Sequence, residues 1–242
     1  MSAPLFLVDD LPGVGIFTLG GPEGHHAATV QRLRAGETLL LCDGRGGTAS
    51  GVVIAAGKGS LTVDVLNHEY VPAADPRLVV VQGVPKGDRG ELAVQTMTEA
   101  GVDVIVAWLA SRSVAQWKAE RGEKSRQRWV DTAREAAKQS RRSWLPELAQ
   151  AATTKEVAAR VGSAATALVL HEEADARLTT VELPAAGDIV VVVGPEGGIA
   201  PDELALFAEA GAQPVRLGRS VLRTSTAGVA ALAVLSTRLA RW

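Results

Sequence analysis

The stretch from Ile189 to Leu206 constrains the chain more than any other. Ile189-Val190-Val191-Val192-Val193 places five β-branched residues in succession, the pattern of a strand buried on both faces. Gly194-Pro195-Glu196-Gly197-Gly198 follows, and then Ile199-Ala200-Pro201-Asp202-Glu203-Leu204-Ala205-Leu206, with Pro201 suited to a first helical turn and two acids where the helix dipole favours them. Strand, tight loop and helix in this order predict a parallel α/β sheet, and such sheets gather ligands at the carboxyl ends of their strands. The loop is either one wall of a ligand site or a bare strand-to-helix turn.

Bulk properties exclude several classes. Cys42 is the only cysteine, so a disulfide framework and a Cys-based zinc site are both excluded, as befits a reducing compartment. His25, His26, His68 and His171 are not spaced as a metal pair on a helix, and no metal is expected. The segment Met1 to Asp10 lacks a basic stretch followed by a long apolar one, and no apolar run reaches membrane-spanning length. The expectation is a cytoplasmic protein with no membrane partner. A net charge of -2 argues against a uniformly basic nucleic-acid binder, but charge is unevenly placed.

Two domains are expected, at 1–72 and 73–242. The first carries short strand-like runs separated by glycine-rich turns, with hairpins at Asp43-Gly44-Arg45-Gly46-Gly47 and Lys58-Gly59-Ser60, and predicts a small β-barrel interrupted by one helix over about 25–34. Gly21-Pro22-Glu23-Gly24 repeats the letters of the later loop without a buried strand before it and reads as a turn. Past the proline-containing linker Val71 to Pro76 the pattern alternates strand and helix, which implies parallel pairing and a three-layer α/β domain. From Arg112 to Arg142 ten basic residues face four acids; the core of this stretch, about 124–140, reads as a helix with Trp129, Ala133, Ala136 and Ala137 on its buried side. Its charged face is either a solvated, ion-paired surface or a phosphate-backbone track.

The glycine loop lacks the Gly-Lys-Ser/Thr of a nucleoside-triphosphate cradle, and the chain has neither a Gly-x-Gly-x-x-Gly fingerprint nor a Gly-x-Ser-x-Gly elbow. A loop that offers bare backbone and no cation suits a neutral or cationic ligand with an aromatic base better than a polyphosphate. Leu170-His171-Glu172, Gly194 to Gly198 and Leu217 to Thr226 all follow predicted parallel strands and are expected to converge.

Gly194-Pro195-Glu196-Gly197-Gly198 and Leu217-Gly218-Arg219-Ser220-Val221-Leu222-Arg223-Thr224-Ser225-Thr226-Ala227 resemble the two cofactor motifs of the RsmE family, bacterial methyltransferases acting on a uridine N3 of 16S rRNA. Lys86-Gly87-Asp88-Arg89 with Thr98 to Val102, Glu135 to Arg142, and His25-His26 with Leu33 to Glu37 and Asp43-Gly44 are similar to that family's other landmarks in the same order. The resemblance implies a PUA-like barrel followed by a SPOUT domain whose last segments form a trefoil knot. It also implies S-adenosyl-L-methionine as cofactor, a homodimer, and 16S rRNA or the small ribosomal subunit as partner. One departure stands out: where the family often has Glu between the two threonines, this chain has Ser225.

Carried onto this chain, the resemblance assigns cofactor binding to Leu170, His171, Glu172, Gly194, Pro195, Gly197, Gly198, Leu217, Gly218, Leu222, Thr224 and Thr226. Arg223 is the first catalytic candidate, with Arg142 second. Glu196 is either a proton acceptor or a cap for backbone groups of its own loop. Arg32, Arg34, Lys86, Arg89, Lys124, Arg126, Arg128, Arg134, Lys138 and Arg141 are the candidates for RNA phosphates. A non-catalytic ribosome-assembly factor and a ribose 2'-O-methyltransferase remain as alternatives on the same scaffold.

Overall fold

A computed structural model describes residues 3–115 and 117–242; Met1 and Ser2, where the segment read for a secretory signal and the first expected domain begin, lie outside it, as does Gln116. The chain divides into two compact units, one formed by 1–73 with 137–145 and the other by 74–136 with 146–242. Residues 137–145 thus depart from the expected continuous division, because their backbone and side chains bond to the first unit.

In the first unit, β1 (Leu5–Leu7), β2 (Gly15–Leu19), β3 (Thr38–Cys42), β4 (Gly47–Gly57) and β5 (Ser60–Tyr70) form a sheet in the order β1-β3-β4-β5-β2. Strand β1 runs parallel to β3 and the other pairings are antiparallel. Leu61, Val63 and Val65 are fully buried at every second position of β5, as a sheet with one covered face requires. Helix α1 (Gly21–His25) continues through a π-helical turn at His26–Val30. Gly21 to Gly24 is therefore helix and not the expected turn: Pro22 fits a first helical turn, and Gly24 packs so close that a Cβ there would lie 2.3 Å from the Leu19 carbonyl oxygen. The returning segment adds backbone bonds from Gly46 N–H to Ser143 O and from Leu145 N–H to Gly44 O, and the Trp144 indole donates to Val71 O at 2.8 Å.

The second unit holds β6 (Arg77–Gly83), α2 (Arg89–Glu99), β7 (Val104–Trp108), most of α3 (Ala119–Gln139), β8 (Glu147–Leu148), α4 (Thr154–Ser163), β9 (Thr166–Leu170), β10 (Asp188–Val193), α5 (Pro201–Glu209), β11 (Gln213–Val215) and α6 (Thr224–Arg238). Its sheet is parallel throughout, in the order β11-β9-β10-β6-β7-β8. Residue parity decides which layer each side chain joins. Leu78, Val80, Ile105, Leu168, Ile189 and Val191 pack with α2, α3 and α6, while Val79, Val81, Val104, Val106, Val190 and Val192 pack with α4 and α5. Both faces of β10 are covered, which is why its sequence reads as an unbroken β-branched run. Each such side chain contributes about 1.5–3 kcal/mol when fully buried. The central pair β10 and β6 places its carboxyl ends, Val193 and Gly83, side by side, and the glycine loop starts there.

Candidate active site

Beyond the carboxyl ends of β9, β10 and β11 lies a cavity of about 530 Å³. Three segments wall it, Leu170 to Glu173, Val193 to Ile199, and Arg216 to Ala227 with gaps, joined by Arg89 and Arg112. The size lies within the range of small-molecule sites.

The glycine loop is held by contacts on every side. Gly198 N–H donates to Pro195 O at 2.9 Å, closing a turn that sets Gly198 at φ +72°, a conformation side chains resist. At Gly197 the reason is proximity, since a Cβ would lie 2.9 Å from the backbone oxygen of Arg112. The Thr224 hydroxyl donates to Gly194 O at 2.7 Å and accepts from Gln82 Nε2 at 2.8 Å, and the same amide nitrogen also donates to Gly83 O at 3.1 Å. Gln82 is fully buried, so this relay fixes the loop from below through the end of β6.

Glu203 performs a second tethering. It is 3% exposed; Oε1 accepts from Ser111 N–H at 2.8 Å and from the Thr154 hydroxyl at 2.9 Å, and Oε2 accepts from Ala200 N–H at 3.2 Å. One carboxylate thus caps α5, touches the start of α4, and fixes the backbone beside Arg112. Arg112 then reaches the loop, with Nη1 3.4 Å from Gly197 O. Glu196 accepts from Lys86 N–H at 3.1 Å and sits 3.7 Å from Arg89. It therefore caps the 84–88 loop and not its own, correcting the expected backbone role, because the turn at Pro195–Gly198 is already closed by its own amide.

The rim carries Arg89, Arg112, Arg216 and Arg223 against Glu172, Glu173 and Glu196. His171 Nδ1 accepts from Glu173 N–H at 3.2 Å, which leaves the proton of the neutral ring on Nε2. Among the described residues no group of three or more His, Cys, Asp or Glu could hold a metal ion.

An RNA methyltransferase domain matches residues 73–236 and an RNA methyltransferase PUA domain matches 19–66. Ribosomal RNA small subunit methyltransferase E of Mycobacterium bovis is 47% identical over 247 residues, covering 100% of this chain and 94% of that protein. The chain belongs to the ribosomal RNA small subunit methyltransferase E family. The Bacillus subtilis member is 28% identical across 91% of this chain and 89% of its own length. Among solved structures, the Neisseria gonorrhoeae member bound to S-adenosyl methionine superposes with a TM-score of 0.87 at 28% identity, covering 98% of each chain. A methyltransferase from Legionella pneumophila in complex with bound cofactor SAM gives the same score at 26% identity, with 98% of each chain covered.

Within this methyltransferase E fold, the cavity brings together Leu170, His171, Glu172, Gly194, Pro195, Gly197, Gly198, Leu217, Gly218, Leu222 and Thr224, with Glu196 and Arg223. Thr226 is not among its lining residues; its hydroxyl donates to Arg223 O at 3.1 Å on the first turn of α6. Arg142 is not among them either and belongs to the first unit, where its carbonyl accepts from the Cys42 thiol. Of the RNA candidates, Arg89 lines the cavity, while Arg32, Arg34, Lys86, Lys124, Arg128, Arg134 and Arg141 are exposed or partly so. Arg126 is engaged by Glu123 at 2.7 Å and by Leu148 O. Lys138 corrects the reading more sharply: its side chain is 8% exposed and bonds Glu23 at 3.0 Å within the first unit, so it is withdrawn from any phosphate. Sequence reasoning read Arg112 only as the first cation of the basic stretch and did not assign it or Arg216 to this cavity. Arg216 follows β11 directly, and the rule that ligands collect at strand ends could have found it; Arg112 lies four residues past β7 and carried no such signal.

Proposed function

We propose that this chain is an S-adenosylmethionine-dependent methyltransferase that modifies N3 of a uridine in 16S rRNA. The observation that carries the reading is the cavity at the ends of β9, β10 and β11. Its loop presents bare backbone beneath a rim of four arginines and three glutamates, a departure from the expected site without cations, and it occurs in a chain of the methyltransferase E family. A Cβ at Gly198 or Gly218 would meet no protein atom, so these positions present open backbone beside the apolar Leu170, Leu217 and Leu222. That donor set fits an adenosine, and Glu172 and Glu173 fit the cationic part of the cofactor. When bound, S-adenosylmethionine supplies a methyl group on a sulfonium.

The chain's own contribution is alignment and charge. Backbone of Leu170, Gly194, Gly197, Leu217 and Leu222 orients the adenosine, and Gln82, Thr224 and Glu203 keep those groups from shifting when the site fills. Uracil N3 is a poor nucleophile until its proton leaves. Arg223, at the N-cap position of α6 on the cavity edge and with its side chain making no capping bond, stabilises negative charge building on the uracil oxygens. The same reading includes a knotted threading of the 194–227 segments, a homodimer associating through the Ala- and Gly-rich α6, and a cytoplasmic location set by the substrate. No described helix is long and apolar enough to cross a membrane.

The test is methyl transfer from labelled cofactor to small ribosomal subunits, with the modified nucleoside identified by mass spectrometry. 3-Methyluridine is the expected product; a 2'-O-methyl nucleoside, or no transfer despite cofactor binding, would overturn the reading. Arg223→Ala is expected to abolish transfer with cofactor affinity held within a few-fold. Unchanged turnover would remove Arg223 from the mechanism.

A further inference from the structure

A second cavity, of about 290 Å³, lies between the 84–91 segment and the start of α3. Its composition differs from that of the first. Trp129, 2% exposed, packs under the first turn of α2, where a Cβ on Gly90 would lie 2.7 Å from its indole nitrogen. Trp117, partly exposed, meets Trp129 edge-on, with ring centroids 4.9 Å apart and planes at 72°. Arg121, Lys124 and Arg128 line the same cavity at helical spacings of three and four, hence on one face of α3. Glu91 is its one carboxylate, 3.9 Å from Arg128.

An aromatic plane beside three cations and one acid is the combination that holds a nucleotide of a single strand, with the base stacked and the phosphate neutralised. The 84–91 segment also connects the two sites: Gly87 and Gly90 line the second cavity, and Arg89 lines the first. We propose that the second cavity binds a nucleotide of the RNA strand other than the one methylated, stacking its base on Trp117 and taking its phosphate on Arg121 and Lys124. This rests on the methyltransferase reading above and adds a strand-positioning subsite to it. The subsite selects RNA and does not touch the reacting atoms.

The experiment compares Trp117→Ala, Trp117→Phe and the double variant Arg121→Ala/Lys124→Ala with wild type, using small ribosomal subunits as substrate. Steady-state transfer, filter binding across a salt series, and calorimetric affinity for S-adenosylmethionine are measured. Trp117→Ala is expected to raise KM by about 5- to 150-fold, the effect of one stacked base, while kcat and cofactor affinity stay within about three-fold. Trp117→Phe keeps a ring and should restore most of the binding, which separates stacking from a folding defect. The double variant should flatten the slope of log affinity against log salt by about 0.7, the contribution of the one single-strand phosphate the pair holds. Values of KM and binding within two-fold of wild type for all three variants would overturn the subsite. So would uridine monophosphate saturating the cavity while the variants leave RNA binding unaltered. If wild type transfers no methyl at all, the proposed function fails separately, and filter binding by the same variants still decides the subsite.

Discussion

Replacing Thr224 by Val should loosen the glycine loop. The two side chains have nearly the same shape, but the hydroxyl at this position donates to Gly194 O at 2.7 Å and accepts from Gln82 Nε2 at 2.8 Å. Thr224 is 7% exposed and Gln82 is fully buried, so water cannot readily replace the bond between them, while Gly194 is half-buried at the cavity wall. Gln82 retains its bond to Gly83 O, which leaves the Gly194 carbonyl as the group that loses most. Losing the two bonds together costs about 1–3 kcal/mol. With a urea dependence of about 2–3 kcal/mol/M, the unfolding midpoint should fall by about 1 M. Tryptophan fluorescence is a suitable probe, because Trp108, Trp117, Trp129 and Trp242 lie in the second unit and only Trp144 in the first. Thr224→Ser keeps the hydroxyl and removes one methyl, and should cost about 0.8 kcal/mol. Cofactor affinity should drop about ten-fold in the Val variant alone, since 1.4 kcal/mol of misplaced loop corresponds to that factor. A Gln82→Leu/Thr224→Val double variant should show coupling of about 1 kcal/mol or more. Val and Ser variants with indistinguishable midpoints and cofactor affinities would refute the relay.

Gly83→Ala should act on the loop from the other side: its Cβ would lie 2.6 Å from Pro195 N, 0.8 Å inside the 3.4 Å at which ordinary contact begins. Backbone must move, at about 1–3 kcal/mol, and calorimetry should record at least ten-fold weaker cofactor binding; wild-type affinity would show that β6 can yield instead. Glu203→Gln should lose about 2 kcal/mol, because an amide NH₂ cannot accept every bond the carboxylate does, and calorimetric scanning should place Tm about 4–8 °C lower. An unchanged Tm would contradict the tethering role. Glu156 caps α4, and the Thr153 backbone N–H followed by the Thr153 hydroxyl holds its carboxyl below the usual range. A depressed folded-state pKa stabilises above the unfolded value and the contribution fades as pH falls through the folded value. Chemical denaturation should therefore find Glu156→Gln less stable than wild type at pH 7, with the gap closing below about pH 4. A gap that persists at pH 3 would rule out the ionised cap.

Much of the α/β unit was legible because its strands are buried on both faces. The runs Leu78–Val81 and Ile189–Val193 leave no helical alternative once Gly and Pro bound them, and Pro201 marks the start of α5 within one residue. The buried stripe of α3 was legible too, in the spacing of Trp129, Ala133, Ala136 and Ala137. What escaped depends on partners distant in sequence. Lys138 reads as one more cation of a basic helix until Glu23 is placed beside it, 115 residues away. Gly21 to Gly24 is turn-like by composition, and the close packing of its helix at Gly24 on Leu19 and Gly59 leaves no mark in those letters. Glu203 looks like a charge favourable to the α5 dipole, yet its three acceptor bonds make it a structural joint. Gln82 carried no signal, since a lone amide at a strand end has no period.

The returning segment 137–145 also bears on synthesis. Cys42, Gly44, Gly46, Val71 and Glu23 all find partners there, so the first unit lacks part of its bonding until residue 145 has left the ribosome. The sheet's five strands are all made by residue 70, but the turn between β3 and β4 must wait through the translation of about seventy further residues for these partners. At roughly 5–20 residues per second, that is about 4–14 s during which the turn between β3 and β4 lacks the partners that 137–145 supplies. A nascent chain arrested shortly before residue 137 should be open to proteolysis near Gly44 to Gly47, and one arrested far enough beyond 145 for that segment to emerge should be protected there.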